Sequence, residues 1–342
     1  MTAYQPPRPT RVLAIRAGQL GDTVFASSII APLRRRFGDD VVIDWVAKAG
    51  PSRLFAADPR IHRVFELRNR KTPLLLNPGK FRLVAESVRE PYDIAVNMEL
   101  GPIFNSTMRL LRARHKLGMP YQYHAEPQGY HAVENLQLIY RELFDADVMR
   151  EANPSLVGPP ISGVLAKYRL RQPYVLLHPT TSHFNKTDYR NYRSWPAEHW
   201  RELIRLLSSD RRAQLVLLGA RGEEPYFEQL GTLPPDTHSL VGKTSMSELI
   251  SVIGGAAALV TTDTGPSHIA AAVNTPVFAI FGPSDYHKTG PYSTPSNRVH
   301  VVSANLSCSP CSLSGMIRSC PRNRCMFDVT PERVAAAVRE YV

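Results

Sequence analysis

Short apolar runs alternate along the chain with longer stretches in which apolar residues recur at helical spacing. The runs at 12–15, 41–46 and 174–179 are apolar throughout or nearly so and have turn-forming residues nearby, as buried strands do. The stretch at 196–209 instead repeats its apolar residues every three or four positions, which predicts an amphipathic helix. Strands alternating with helices predict an α/β fold with parallel sheets and right-handed crossovers.

The pattern predicts two such series, one in each half of the chain. In the first half we expect strands at 12–15, 41–46, 92–99 and 115–119 and helices at 22–37 and 131–144. In the second half we expect strands at 174–179, 213–219, 257–261 and 276–281 and helices at 196–209, 223–230, 246–254, 267–272 and 331–341. Proline-rich residues 151–173 break the pattern and predict the boundary between two domains. The predicted organisation is a disordered tail at 1–10, domains at 11–160 and 170–330, and a closing helix at 331–342.

Length and composition agree with two domains in an intracellular protein. The chain has 342 residues, 43% of them hydrophobic, which is enough for two cores. No apolar run approaches the roughly 18–20 residues that span a bilayer. The first residues, MTAYQPPRPTR, lack the apolar region of a signal peptide. These features predict a soluble cytoplasmic protein.

The net charge is +11, and most of the excess lies in the first half. Residues 1–150 hold 22 Lys and Arg against 15 Asp and Glu, whereas residues 151–342 hold 19 against 15. A basic surface favours anionic partners such as nucleic acid, acidic lipid or phosphorylated substrates, although it can also serve only solubility. Because basic and aromatic residues are not interleaved in any run, nucleic acid is not expected as a partner.

The first of three notable turns has the sequence AGQLGD and follows the strand at 12–15. Gly18 and Gly21 would let the backbone approach a ligand, and the start of the next helix favours an anion. Asp22 is a candidate general base, and its alternative role is to cap the helix. The run is not GxGxxG, so it gives little support to dinucleotide binding.

The second turn has the sequence HPTTSH and is followed by a basic segment ending in RSWP. The hydroxyls of Thr180 and Thr181, together with Lys186 and Arg193, suit a diphosphate, since arginine can bind two phosphate oxygens at once. The alternative is a solvated basic loop beside a packed tryptophan.

The third turn lies in VTTDTGPSHIAAAVNTPVFAIFGPSD, which predicts strand, turn, helix and strand. Asp263, Thr264 and Gly265 end a strand and begin a helix, whose N–H groups could bind a phosphate. His268 lies in the first turn of that helix, and Gly282 ends the next strand. The alternative is a plain helix start, with Asp263 as a cap and His268 in the core.

Four cysteines lie close together near the end of the chain, at positions 308, 311, 320 and 325. Four thiolates in one segment could bind zinc, but their spacing is irregular for a zinc ribbon. An intracellular location argues against stable disulfides. Structural thiols without a metal are the expected state, with zinc as the alternative.

Four segments together are similar to one known family: IRAGQLGDTVFASSIIAPLRRRF, RSWPAEHW, VTTDTGPSHIAAAVNTPVFAIFGPSD and CSPC…CPRNRCMFDVTPERV. They resemble glycosyltransferase family 9, the bacterial ADP-heptose:lipopolysaccharide heptosyltransferases. The resemblance runs in order from about Arg11 to Val342, and residues 60–170 carry little of it. One difference is Arg193, where the family usually has the lysine of Lys-x-Trp-Pro. A guanidinium can still neutralise a leaving diphosphate, with a different reach.

The resemblance implies a glycosyltransferase-B fold, in which two Rossmann-like domains face each other across a cleft. The N-terminal domain would bind the lipid A–core acceptor of lipopolysaccharide, and the C-terminal domain would bind ADP-heptose. Transfer would be inverting and would need no metal and no cofactor. Asp22 matches the family's Leu-Gly-Asp base, and Arg193 would stabilise the leaving ADP. The expected donor-binding residues are Thr180, Thr181, Lys186, Asp263, Thr264, Gly265, His268 and Gly282.

The lipid acceptor also implies peripheral contact with the anionic cytoplasmic face of the inner membrane. Two other functions stay open on the sequence alone. One is a nucleotide-sugar 2-epimerase on the same fold, which would release free sugar products without an acceptor. The other is a non-catalytic protein that binds nucleotides or anionic membrane and would not need a base such as Asp22.

Overall fold

The computed structural model describes residues 9–122, 129–181, 192–311 and 320–342. Among the predicted site residues, Lys186 lies outside the described residues and the others lie within them. The chain divides into two compact units, Met1–Val157 and Gly158–Val342. Each unit has its own sheet and its own core.

Both units are built on parallel strands. The first unit contains β1 (Arg11–Ile15), β2 (Val42–Lys48), β3 (Arg63–Leu67), β4 (Tyr92–Asn97) and β5 (Ala113–Leu117). The second contains β6 (Tyr174–His178), β7 (Gln214–Leu217), β8 (His238–Ser239), β9 (Ala258–Thr262), β10 (Val277–Phe281) and β11 (Val299–Ser303). The central strands β6, β9 and β10 are buried along their whole length, because helices cover both faces of such a sheet.

The two sheets share one winding order. Within the described residues the first sheet runs β3-β2-β1-β4-β5, and the second runs β8-β7-β6-β9-β10-β11. Both follow the doubly wound Rossmann order, in which the chain turns back from the first strand to the fourth. The direction therefore reverses between β1 and β4 in one unit and between β6 and β9 in the other. Ligands of such sheets bind at the carboxyl ends of these strand pairs.

The described helices are short, and none is long and apolar enough to cross a membrane. In the first unit they are α1 (Leu20–Ala26), α2 (Ile30–Phe37), α3 (Pro78–Arg89), α4 (Asn105–Leu110), α5 (Ala132–Tyr140) and α6 (Ala146–Met149). In the second they are α7 (Ile161–Tyr168), α8 (Ala197–Asp210), α9 (Glu224–Glu228), α10 (Met246–Gly254), α11 (Gly265–Ala272), α12 (Tyr286–Thr289), α13 (Arg324–Phe327) and α14 (Pro331–Arg339).

Two parts of the helix prediction were wrong. The helix expected at 22–37 begins at Leu20 and is interrupted by a 3-10 turn, Ser27–Ile29, before α2 continues to Phe37. The proline-rich stretch at 151–173 contains α7, whose N-cap is Pro160 and which packs on α10. Proline is tolerated at helix starts, so prolines there did not exclude a helix. Strand β3 and helix α3 were also missed.

A buried carboxylate holds one side of the first sheet together. Asp44 on β2 is fully buried and accepts hydrogen bonds from Tyr92 Oη (2.7 Å) and Arg63 Nη2 (3.1 Å), and its Oδ1 lies 2.8 Å from His62 Nδ1. Burial alone would raise the pKa of Asp44, but these bonds and the Arg63 charge hold the pKa below its usual value. Asp44 is therefore ionised in the folded protein at neutral pH.

Candidate active site

The predicted base lies at the β1–β4 strand pair, where the winding direction reverses. Asp22 is the third residue of α1, and its Oδ2 accepts a hydrogen bond from the backbone N–H of Gln19 (2.8 Å). Its Oδ1 accepts one from Arg16 Nη2 (2.7 Å). The predicted alternative that Asp22 is the N-cap was wrong, because Gln19 is the N-cap, but Asp22 does help to cap α1 as the third residue of a capping box.

Gly18 is required for this orientation of Asp22. A Cβ atom at Gly18 would lie 2.4 Å from Asp22 Cβ and 2.5 Å from its Oδ2. Gly18 thus leaves room for the Asp22 carboxylate, and the expected approach of the backbone to a ligand in this turn stays a prediction. Gly21 lies one residue before Asp22, within α1.

The surroundings of Asp22 keep it ionised. Burial on its own would raise the pKa of Asp22, but the Arg16 charge, the Gln19 N–H and the Arg70 charge together hold the pKa below its usual value. Arg16 is itself buried and donates a second hydrogen bond to the carbonyl of Met98 (2.6 Å). Arg16 therefore ties the carboxylate to the end of β4.

A second carboxylate at this edge was not predicted. Glu99 is buried, accepts a hydrogen bond from the backbone N–H of Ala17 (2.6 Å) and pairs with Arg70 (2.7 Å). It follows β4 as Asp22 follows β1, and the motif YDIAVNME could have indicated it, since charged residues directly after a buried strand are unusual. The edge thus holds two carboxylates and two arginines in alternation.

The second unit has a matching edge at the ends of β6 and β9. His178 ends β6, and its Nδ1 lies 3.3 Å from Thr261 Oγ1 and 3.4 Å from Thr264 Oγ1. Burial lowers the pKa of His178 to about 4, so the imidazole is neutral at neutral pH. The ring joins the two strand ends through hydrogen bonds and carries no charge toward a phosphate.

Two predicted residues meet in an ion pair at this edge. Arg193 Nη1 lies 3.1 Å from Asp263 Oδ2, and the guanidinium is partly exposed whereas the carboxylate is nearly buried. Trp195 anchors the Arg193 segment, because its buried indole donates a hydrogen bond to the carbonyl of Val329 (2.9 Å). Asp263 therefore orients the cation that the sequence assigned to the diphosphate.

Helix α11 begins beside this pair. Thr264 is its N-cap, Gly265 its first residue, and Ser267 Oγ donates to the Thr264 carbonyl (2.7 Å). His268 is buried in the first turn. The hydroxyl of the neighbouring buried residue Thr262 has no hydrogen-bond partner among the residues described. An N-terminus of this kind, beside a cation, suits an anion.

The two threonines after β6 are buried next to a carboxylate that the sequence did not single out. Thr180 Oγ1 donates a hydrogen bond to Glu223 (2.6 Å), and Glu223 also accepts one from the Ala220 N–H (2.8 Å). The hydroxyl hydrogen of Thr180 is thus committed to Glu223, and Thr181 is buried beside it. Any diphosphate here must tolerate this nearby negative charge.

Gly282 directly follows β10 and lies next to Cys325. A Cβ at Gly282 would lie 2.5 Å from Met326 Sδ and 2.9 Å from Cys325 Sγ, so this glycine allows α13 to pack. The cysteines line one cavity and form no disulfide. Burial raises the pKa of Cys325 to about 11, so it is a thiol at neutral pH. Among the residues described, no group of three His, Cys, Asp or Glu side chains is arranged to hold a metal ion.

Residues 104–318, more than half of the chain, match the family Glycosyltransferase family 9 (heptosyltransferase). The chain belongs to glycosyltransferase family 9. Lipopolysaccharide heptosyltransferase 1 of Pseudomonas aeruginosa is 26% identical to this family 9 chain over 326 residues, with 88% of this chain and 86% of that protein covered. The resemblance found in the sequence and the predicted enzyme class, a glycosyltransferase, are confirmed.

Solved structures confirm the predicted glycosyltransferase-B fold class for this family 9 member. Escherichia coli ADP-heptose lipopolysaccharide heptosyltransferase II matches with a TM-score of 0.73 at 22% identity, over 97% of this chain and 98% of that one. The E. coli heptosyltransferase WaaC, solved with ADP, matches with a TM-score of 0.71 at 20% identity, over 97% and 100%.

Proposed function

We propose that this enzyme transfers heptose from ADP-heptose to the lipid A–core acceptor of lipopolysaccharide, with inversion at the anomeric carbon and without a metal. Family membership and the activities named for its relatives support the donor and the acceptor. The observation that carries the chemistry is the ionised Asp22 carboxylate, held by Arg16 and the Gln19 N–H at the β1–β4 strand ends, where Gly18 leaves room for it. That is the position and charge that a general base needs.

In the proposed reaction an acceptor hydroxyl attacks the anomeric carbon while its proton passes to Asp22. The bond from that carbon to the diphosphate oxygen breaks, and ADP leaves with the electron pair. A carboxylate with a lowered pKa is a weak base, so it accepts the proton only as the new carbon–oxygen bond makes the hydroxyl acidic. Attack from the face opposite the leaving group inverts the centre.

The leaving diphosphate gains negative charge in this step. We assign its stabilisation to Arg193, the Thr264–Gly265 end of α11 and Lys186, the last of which lies outside the described residues. Thr180, Thr181, His268 and Gly282 are the further donor-site candidates. Asp263 orients Arg193. A bound diphosphate would pair with part of the guanidinium that now pairs with Asp263.

The test compares two variants in a transfer assay with ADP-heptose and a truncated, water-soluble core acceptor. Asp22→Asn should lower kcat by about 10²–10⁴-fold while ADP affinity stays near that of the wild type. Arg193→Ala should weaken ADP binding and lower kcat by about 10²–10³-fold. The exposed Asp40→Asn is the matched control and should behave as the wild type.

Three outcomes would contradict parts of this proposal. Turnover by Asp22→Asn at the wild-type rate removes the base assignment. Unchanged ADP affinity and kcat in Arg193→Ala remove the phosphate role. Release of free sugar from the nucleotide without any acceptor would instead support the 2-epimerase alternative.

We also propose that the enzyme works at the cytoplasmic face of the inner membrane through peripheral contact. The support is the basic charge of residues 1–150 and the lipid nature of the proposed acceptor.

A further inference from the structure

An unusual set of apolar side chains is exposed on one part of the first unit. Leu75 is 85% exposed, Leu76 74%, Phe81 59% and Val88 58%. We call these four residues the apolar patch. Leu75 and Leu76 lie on a 3-10 turn, Leu74–Leu76, that packs against α3, and Phe81 and Val88 lie on α3 itself. Together they present large hydrocarbon side chains to solvent within one short segment.

Helix geometry puts the α3 members of the patch on one face. Phe81 and Val88 are seven residues apart, which is two turns, so they point the same way. Leu83 and Ser87, on the opposite side of α3, are buried. The patch is thus not a poorly packed part of the core, because α3 already contributes a separate face to the core.

The segment that carries the patch is rich in cations and poor in anions. Residues 68–89 contain six Lys and Arg and one acidic residue, Glu86. Two of the six point inward, since Lys80 is buried and Arg70 pairs with Glu99. The outward cations are Arg68, Lys71, Arg82 and Arg89. In the described parts of the chain, no carboxylate pairs with Arg68, Lys71 or Arg89.

Hydrogen bonds from a buried lysine fix the backbone next to the turn that carries the leucines. The Nζ of the buried Lys80 donates hydrogen bonds to the carbonyls of Arg70 (2.7 Å), Thr72 (3.0 Å) and Ile103 (3.1 Å). Asn77 caps α3 through the N–H groups of Gly79 and Lys80. These hydrogen bonds thus fix the backbone on both sides of Leu75 and Leu76.

We propose that the apolar patch and its outward cations dock the enzyme onto an anionic phospholipid bilayer. Leucine and phenylalanine side chains insert at the level of the headgroups, while lysine and arginine contact the acidic headgroups around them. Charge complementarity favours this occupant, since an apolar patch in the same segment as the unpaired cations Arg68, Lys71 and Arg89 suits an anionic surface better than a second copy with the same charge. The inference rests on the proposed function for its biological setting, but it is tested without catalysis.

The experiment measures partitioning of the full-length protein onto vesicles made of equal parts phosphatidylglycerol and phosphatidylcholine, with vesicles of phosphatidylcholine alone for comparison. The wild type should bind the anionic vesicles, and its binding should fall as salt screens the charges. The double variant Leu75→Ser/Leu76→Ser should bind these vesicles at least about tenfold more weakly than the wild type. Arg68→Gln/Lys71→Gln should lose about fivefold for each cation removed.

A matched control and three possible results test the docking proposal. Phe327→Ser removes a comparably exposed apolar side chain from the second unit and should leave partitioning unchanged. Wild-type binding by the double leucine variant, or no binding by the wild type, overturns the proposal. So does a solution dimer that the leucine variant converts to monomers, which would make a second copy the occupant.

Transfer to the water-soluble acceptor separates this inference from the proposed function. The double leucine variant should retain wild-type kcat with that acceptor, and a loss would assign the patch to acceptor binding and overturn docking. If the wild type partitions onto vesicles but transfers no heptose, the proposed function fails and the docking surface stands.

Discussion

At the scale of single residues, the charged groups after β1 and β4 hold each other in place. Arg16 binds Asp22 and the Met98 carbonyl, and Glu99 binds the Ala17 N–H and Arg70. Asp22 is thus ionised, and both carboxylates are oriented before any substrate arrives. This arrangement reduces the reorganisation that the reaction requires of Asp22.

The buried carboxylate of Asp44 permits a test of stability. Asp44→Asn should lower the free energy of unfolding by about 3 kcal/mol at neutral pH, because it removes the buried negative charge that pairs with both Arg63 and Arg11. The folded-state pKa of Asp44 lies below its unfolded value of about 3.9, so its stabilisation is complete above that pH and is lost as pH falls through the folded pKa. Urea unfolding of both proteins across this range measures the difference.

The exposed Asp39, which pairs with Arg34 at the surface, provides the control for that measurement. Asp39→Asn should change the free energy of unfolding by less than about 1 kcal/mol. Equal effects of the two substitutions at neutral pH would show that the Asp44 cluster contributes no more than a surface pair.

At the scale of elements, α1 and the turn before it fix the position of the proposed base, Asp22. Gly18→Ala would place a methyl group against Asp22 Cβ and push the carboxylate away from its position. We expect kcat to fall on the order of 10²-fold with little change in ADP affinity, since a displacement of about 1 Å can cost that much. Steady-state kinetics with the soluble acceptor measures both.

Gly163→Ala is the matched control, because nothing lies within 4 Å of a Cβ at that position in α7. It should leave kcat unchanged and raise the free energy of unfolding by up to about 1 kcal/mol, as alanine favours helices more than glycine does. A Gly18→Ala enzyme as active as this control would show that Asp22 can move without cost.

The elements also show what the sequence could and could not predict. Buried parallel strands are nearly continuous apolar runs, so β1, β6 and β9 were visible, and the segments after them pointed to Asp22, Arg193 and Asp263. Strand β3, with the sequence RVFEL, lies at the sheet edge and was missed because Arg63 and Glu66 interrupt the apolar run that marks the central strands. Arg16, Glu99 and Glu223 were missed because their importance depends on partners distant in sequence, such as Met98, Arg70 and Thr180.

At the scale of the whole molecule, each unit completes its own sheet and core, so ligand effects can be assigned to one unit. We expect ADP to slow hydrogen exchange of backbone amides at 178–181 and 262–268, by up to about a hundredfold when free ADP is about a hundred times Kd. Mass spectrometry of exchanged peptides measures this. Adenosine, which lacks the diphosphate, should protect these amides far less, and ADP protection confined to 15–22 would contradict the donor assignment.

The common winding order of the two sheets has an evolutionary consequence. Each reversal of winding order generates a ligand position from strand ends that belong to a single unit, β1 with β4 or β6 with β9. Substitutions after β1 and β4 can therefore accumulate without disturbing the strand ends that we assign to the nucleotide sugar, and the reverse also holds. Recombination near Val157, where one compact unit ends and the next begins, would join intact sheets. Such a chain can acquire a new acceptor while it retains its donor.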